Sequence, residues 1–209
     1  MALRKPRCHH HLWSMNKSIQ LILPVLALLC GGCSDTPDRP DRPDWADGRM
    51  VREPRPGGQR PQSLANFEAR LLAVHNRERA AKGAAPLVWD STLAAAASAY
   101  GPSLIARGKL AHSEAASRPG QGENLWMGTR GAYSLEEMAG SWADERILFR
   151  PGTFPNVSAS GNWSDVGHYT QMIWRGTTSV GCALSRSARW DYLICRYSPP
   201  GNVVGRSMD

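Results

Sequence analysis

Residues 165–185, DVGHYTQMIWRGTTSVGCALS, constrain the chain more than any other stretch. A histidine, a tyrosine, a threonine and a glutamine stand directly before the apolar run Met172-Ile173-Trp174, and a β-rich stretch with a cysteine follows. A helix buried on every side has no use for that polar cluster, and a surface loop has no use for the apolar run. The segment around His168 is therefore expected to be held rigidly beside a core.

The stretch after it supports a β-hairpin. TTSVGCALS and WDYLICRYS are short, rich in Val, Thr, Ile and aromatics, and separated by RSAR. Cys182 and Cys195 fall one on each strand. In an oxidising compartment they pair as a disulfide; in a reducing one they remain two buried thiols.

Upstream, helix signals dominate. SLANFEARLLAVHNRERAAKG starts at a capping Ser63, lines Phe67, Leu71, Leu72 and His75 along one face and ends at Gly83. DSTLAAAASAYGPSLIARGKL begins at an Asp90 cap, and Gly101-Pro102 is expected to kink or interrupt it. A third helix follows Ser134 and turns Met138 and Trp142 inward. Three helices and then a hairpin predict an α+β layered domain with its sheet covered by helices.

The beginning of the chain sets the compartment. Residues 1–33 hold Arg4, Lys5, Arg7 and Lys17 and no acids, before an apolar run from Ile19 to Leu29 that is short for a membrane span. This reads as a secretory signal. Its end, LLCGGC, is similar to a bacterial lipobox, with Cys33 as the lipid attachment site and Cys30 where an aliphatic residue is usual; a plain cleavable signal is the alternative. A start at Met15 would still give a complete leader and would omit the CHHH at residues 8–11, which is not counted as a metal site. Residues 34–62 are rich in Pro, Asp and Arg and poor in apolar residues, and are expected to form a disordered tether. Residues 63–209 form the folded domain, of a size that buries one sizeable core.

Charge excludes one partner class. The formal net charge is +7, but four positive charges lie in the leader and the tether is balanced. The domain has 15 basic and 12 acidic residues, hence +3, with no basic run. A nucleic-acid partner is not expected.

His75, His112 and His168 are far apart, and no H-E-x-x-H or C-x-x-C pairing occurs. Their surroundings say more. GHYTQMIW, LICRYSPPGNVVG, GENLW and HNRER together resemble the CAP superfamily: cysteine-rich secretory proteins, insect venom antigen 5 and plant pathogenesis-related class 1 proteins. The resemblance spans residues 67–205 and is read as that of a bacterial member. It implies a three-layer α-β-α sandwich and a cavity lined by His112 (LAHSE), Glu123 (GENLW), Glu145 (SWADE) and His168 (GHYTQ). His75 matches no cavity position and is expected to be a core histidine. Val166 stands where many eukaryotic members carry extra cysteines around the histidine motif, and no cysteine-rich extension follows the domain.

Two imidazoles converging with two carboxylates suit zinc or another divalent cation, the carboxylates acting as ligands or as supports for the imidazoles. A mutually hydrogen-bonded structural cluster is the plainer reading. The expected function is an exported, envelope-tethered binding module with a cavity for metal and a groove for lipid or a small apolar ligand. Trp126, Tyr133 and Trp142 are candidates to line that groove, and core packing explains them equally well. Alternatives are a metal-dependent hydrolase or a peptidase, with Glu123, Glu145 and Ser113 as catalytic candidates, and a defence or host-interaction factor acting through surface loops.

Overall fold

The computed structural model describes residues 51–52 and 63–208. The expected leader, the Cys33 attachment site and most of the expected tether lie outside these residues. The described chain runs β1 (Val51–Arg52), α1 (Phe67–Ala81), β2 (Val88–Trp89), α2 (Ser91–Arg107), β3 (Gly122–Thr129), α3 (Leu135–Ala143), α4 (Gly167–Ile173), β4 (Ser179–Arg186) and β5 (Trp190–Ser198). One sheet forms in the order β1-β3-β5-β4-β2. β3, β5 and β4 are antiparallel, and the two-residue β1 and β2 join the edges in parallel. The pairing of Val51 and Arg52 with Met127 and Gly128 brings two residues of the expected tether into the sheet.

Side chains alternate along each strand with a period of two, and this divides the core between two faces. On β5, Tyr192 and Ile194 join Leu125 and Met127 of β3 beneath Ala97 and Leu104 of α2. Leu193, Cys195 and Tyr197 face the other way and pack with Leu71, Met138, Trp142, Tyr169 and Met172 from α1, α3 and α4. The result is an α-β-α sandwich, as expected. Within it the sheet bond between Cys182 and Cys195 is formed, sulfur to sulfur at 1.99 Å, on residues that sit directly opposite in the β4–β5 hairpin.

The helix caps follow the sequence in two cases out of three. Asp90 accepts from the amides of Thr92 and Leu93. Ser134 and Glu137 form a reciprocal capping box. α1 instead begins at Phe67, after Asn66 in the left-handed region at φ 53°, while Ser63 accepts only from the Ala65 amide. Residues 63–66 are drawn into a turn because Arg70 holds the Ser63 carbonyl at 2.6 Å. α2 also departs from expectation, running through Gly101-Pro102 without a break. A Cβ on Gly101 would lie 1.8 Å from Ser185 Oγ, and this close seat on β4 holds the helix through the proline.

Two elements that position the site were not expected as such. β3 is buried along nearly its whole length and so shows no polar–apolar alternation. α4 is one short helix whose final carbonyls are tied down by Arg79 of α1. That buried guanidinium donates to the carbonyls of Ala85, Met172, Trp174 and Thr177.

Candidate functional site

The site grows from the two ends of the GHYTQ helix and the loop that follows α2. Glu145 lies in the 3-10 turn directly after α3 and is fully buried. One of its oxygens accepts from the amides of His168 and Tyr169 at 2.9 and 3.0 Å, and the other meets His168 Nδ1 at 2.5 Å. A carboxylate only accepts, so His168 carries its proton on Nδ1. The imidazole lies parallel to the buried Trp142 ring, centroids 6.1 Å apart, and Asn124 of β3 donates to the His168 carbonyl.

The strand-to-loop segment after β5 fixes the same helix from outside. Asn202 accepts from Thr170 Oγ1 and donates to the Gly167 carbonyl, while Gln171 accepts from the Gly201 amide. A Cβ on Gly201 would fall 2.8 Å from Gln171 Nε2 and 2.9 Å from the Trp174 ring, so this contact requires glycine. The PPGN and GHYTQ motifs are thus two halves of one packing unit.

The second pair is built differently. Glu123 opens β3 and turns toward the α2 side of the sheet. Its carboxylate accepts from His112 Nδ1 at 2.7 Å, from the Ser113 amide and hydroxyl at 3.0 Å each, and from buried Arg196 at 3.0 Å. Arg196 also faces the Tyr100 ring, 5.5 Å from its centroid, and the Tyr100 hydroxyl holds the Ala111 carbonyl just before His112. Burial alone would push the Glu123 carboxyl up. The His112 hydrogen bond, the Arg196 guanidinium and the Ser113 amide outweigh it and hold the carboxyl below the usual range.

His112 and His168 line one cleft of about 450 Å³, with Glu123, Asn124, Gln171 and Trp163 among its other walls. The His112 side chain is 56% exposed and that of His168 23%. Each imidazole has Nδ1 committed to a buried carboxylate. Among the described residues neither Nε2 has a hydrogen-bond partner, and each remains a lone-pair donor. This is the support that metal-binding imidazoles generally receive. Among the described residues no three His, Cys, Asp or Glu groups converge closely enough to hold an ion together. The residues that face this cleft with an open nitrogen are the two imidazoles, with the carboxylates behind them.

Of the four expected cavity residues, His112, Glu123 and His168 line the cleft, while Glu145 is buried behind His168 and does not reach its wall. Ser113 lies beside Glu123, but its hydroxyl is spent on that carboxylate and does not meet an imidazole. His75 is a core residue, as expected: its Nδ1 donates to the Leu71 carbonyl and its Nε2 accepts from the Tyr197 hydroxyl. Burial drives its pKa down to about 4. Of the two readings of the aromatics, packing in the core is the one observed. Trp126, Tyr133 and Trp142 are all buried, Trp126 edge-on to Tyr133 and Trp142 bonded to the Leu125 carbonyl, so they fill the core and line no groove. Arg196 was not singled out from the sequence. Its signal was its place on β5, in phase with Tyr192 and Ile194, where a charge needs a buried partner.

Comparison with known proteins agrees with this architecture. The profile of the CAP group, the cysteine-rich secretory protein family, matches residues 72–197. Pathogenesis-related protein 1B of Nicotiana tabacum is 38% identical over 144 residues, covering 68% of this chain and 80% of that protein. Protein PRY2 of Saccharomyces cerevisiae is 35% identical over 147 residues, covering 69% of this chain and 40% of its own length. Among solved structures, NaASP2 with Zn2+ superimposes with a TM-score of 0.57 at 22% identity, over 72% of this chain and 87% of that one. BmVAL-1 gives 0.57 at 23% identity, over 73% and 84%.

Proposed function

This chain belongs to the cysteine-rich secretory protein family, and from that premise we propose that it is an exported binding module whose two imidazoles take a divalent cation such as zinc. One observation carries the reading: two imidazoles line one cleft, each oriented by a buried carboxylate and each with Nε2 unpartnered among the described residues. His112 and His168 would hold the cation; Glu123 and Glu145 would raise imidazole basicity and fix the Nδ1–H tautomer. A cation held this way keeps coordination positions open and would polarise a bound carbonyl, phosphoryl group or water. That NaASP2, similar in fold, was crystallised with Zn2+ is consistent with this reading.

Export is supported by the Cys182–Cys195 disulfide, which belongs in an oxidising compartment. In this reading the basic-apolar leader delivers the domain, and acylation of Cys33 tethers it to a bacterial envelope.

A hydrolase using the same cleft is the second reading, favoured by the open Nε2 positions. Against it stands the saturation of both carboxylates. Glu123 serves four donors and Glu145 three, which suits orienting groups better than general bases.

Zinc titration calorimetry on the full chain tests the proposal. Wild type is expected to bind one equivalent saturably, and His112→Ala and His168→Ala each to abolish binding while remaining folded. No saturable binding, or binding that survives both substitutions, would leave the pairs as structural clusters.

A further inference from the structure

Beside the cleft the surface turns apolar. Trp163 is 45% exposed, Val203 41% and Val204 74%. Singly exposed apolar residues are ordinary, but adjacent ones around a cleft point to an interaction surface. These tips are adjacent because Phe154 joins them. Its ring lies 5.4 Å from that of Trp163, its amide donates to the Arg206 carbonyl, and its carbonyl accepts from the Gly205 amide, the last two both at 2.9 Å. Phe154 is itself buried, edge-on to Trp174. Asn202, next to Val203, is held on Gly167, over which the Trp163 ring sits. The apolar tips are thus braced outward from the core by a buried aromatic pillar.

We infer that Trp163, Val203 and Val204 form a membrane-docking rim that enters the interfacial zone of a lipid bilayer. The chemistry matches that zone. A tryptophan ring settles at headgroup depth, branched aliphatic side chains reach the upper acyl region, and an exposed arginine, here Arg206, meets lipid phosphate. Arg206 is the basic residue beside Val203 and Val204, and its charge favours an anionic leaflet. Since Trp163 also lines the cleft with His112 and His168, docking sets that cleft against the headgroups. This holds whether or not the imidazoles bind a cation, and a failed zinc titration would leave it untouched.

The test uses the full chain with Cys33→Ser, which removes acylation, and vesicles of phosphatidylcholine and phosphatidylglycerol with brominated acyl chains. Brominated lipid is expected to quench a component of tryptophan emission that is absent in Trp163→Phe. The vesicle partition coefficient is expected to fall about a hundredfold in Val203→Asp/Val204→Asp, a loss of the size that withdrawing two half-inserted aliphatic side chains gives. Val88→Asp, on the far edge strand and 61% exposed, is expected to change nothing. Equal quenching in wild type and Trp163→Phe, or a double variant that partitions like wild type, would overturn the inference. Capture of a protein instead of vesicles through the same three residues would overturn it as well.

Discussion

The two His–Glu pairs reach the same end by different means. Glu123 sits on the α2 side of the sheet, and its charge is balanced by a buried arginine and a serine. Glu145 sits on the three-helix side and is held by two backbone amides at the start of α4, with no lysine or arginine in contact among the described residues. His112 rides on a loop and is half open to solvent; His168 belongs to a helix and lies against Trp142. An arginine that loses its carboxylate is a stranded buried charge, whereas an amide that loses a charged acceptor still bonds to a neutral one. The first pair is therefore the one most sensitive to neutralisation, although its histidine is the more exposed.

Neutralising the carboxylates one at a time should separate them most widely. Glu123→Gln strands Arg196 and is expected to cost about 3–5 kcal/mol in urea unfolding. Adding Arg196→Met should recover most of that loss, because the pair and an apolar replacement are near neutral when exchanged together. Glu145→Gln keeps an acceptor for the α4 amides and is expected to cost about 1–2 kcal/mol. Equal losses at the two positions would end the distinction.

The third histidine supplies a scale for both. Unfolded, His75 takes its proton at the ordinary value of 6.5; folded, it does so only at about 4. Between those values the unfolded chain binds more protons, so stability falls as pH drops from 6.5 to about 4. The group contributes no pH dependence above that window. The drop is expected to be about 3 kcal/mol and to vanish in a His75→Gln chain. Glu123 acts lower: its depressed carboxyl contributes stability above the ordinary value of 4.5 that is lost as pH falls through its folded value. Urea unfolding across the acid range would show a decline that starts near pH 6.5 with His75 and continues below 4.5 with Glu123. The smallest effect is expected from Ser113→Ala, about 1 kcal/mol for one hydrogen bond to a charged group that keeps its other partners. Zinc binding should be unchanged, and a lost zinc signal there would give Ser113 a larger role than support.

Much of this was legible in the residues. The hairpin, the Ser134 and Asp90 caps and the inward Met138 and Trp142 follow from local pattern, since each depends on neighbours a few residues away. The four cavity residues came from motif resemblance, because spacing alone said nothing about histidines 56 residues apart. β3 was missed because a strand buried on both faces, opening with Gly-Glu-Asn, shows no alternation, and its one β-branched residue is Thr129 at the end. Trp126 and Tyr133 stood between a groove and the core because aromatic content does not say which way a ring points; the fold buries both, together with Trp142. Arg196 and Arg79 share a lesson. A buried arginine is explained by partners distant in the chain, and only the fold brings those partners into view.

The central claim is that buried carboxylates fix both site imidazoles as Nδ1–H tautomers, leaving Nε2 open toward one cleft. Long-range proton–nitrogen NMR on the full, 15N-histidine-labelled chain at neutral pH reads each tautomer directly. His112 and His168 are expected to show a protonated Nδ1 and a bare Nε2, and zinc addition to move the Nε2 resonances of both. An Nε2–H tautomer at either histidine, or zinc shifts confined to one of them, would contradict the account.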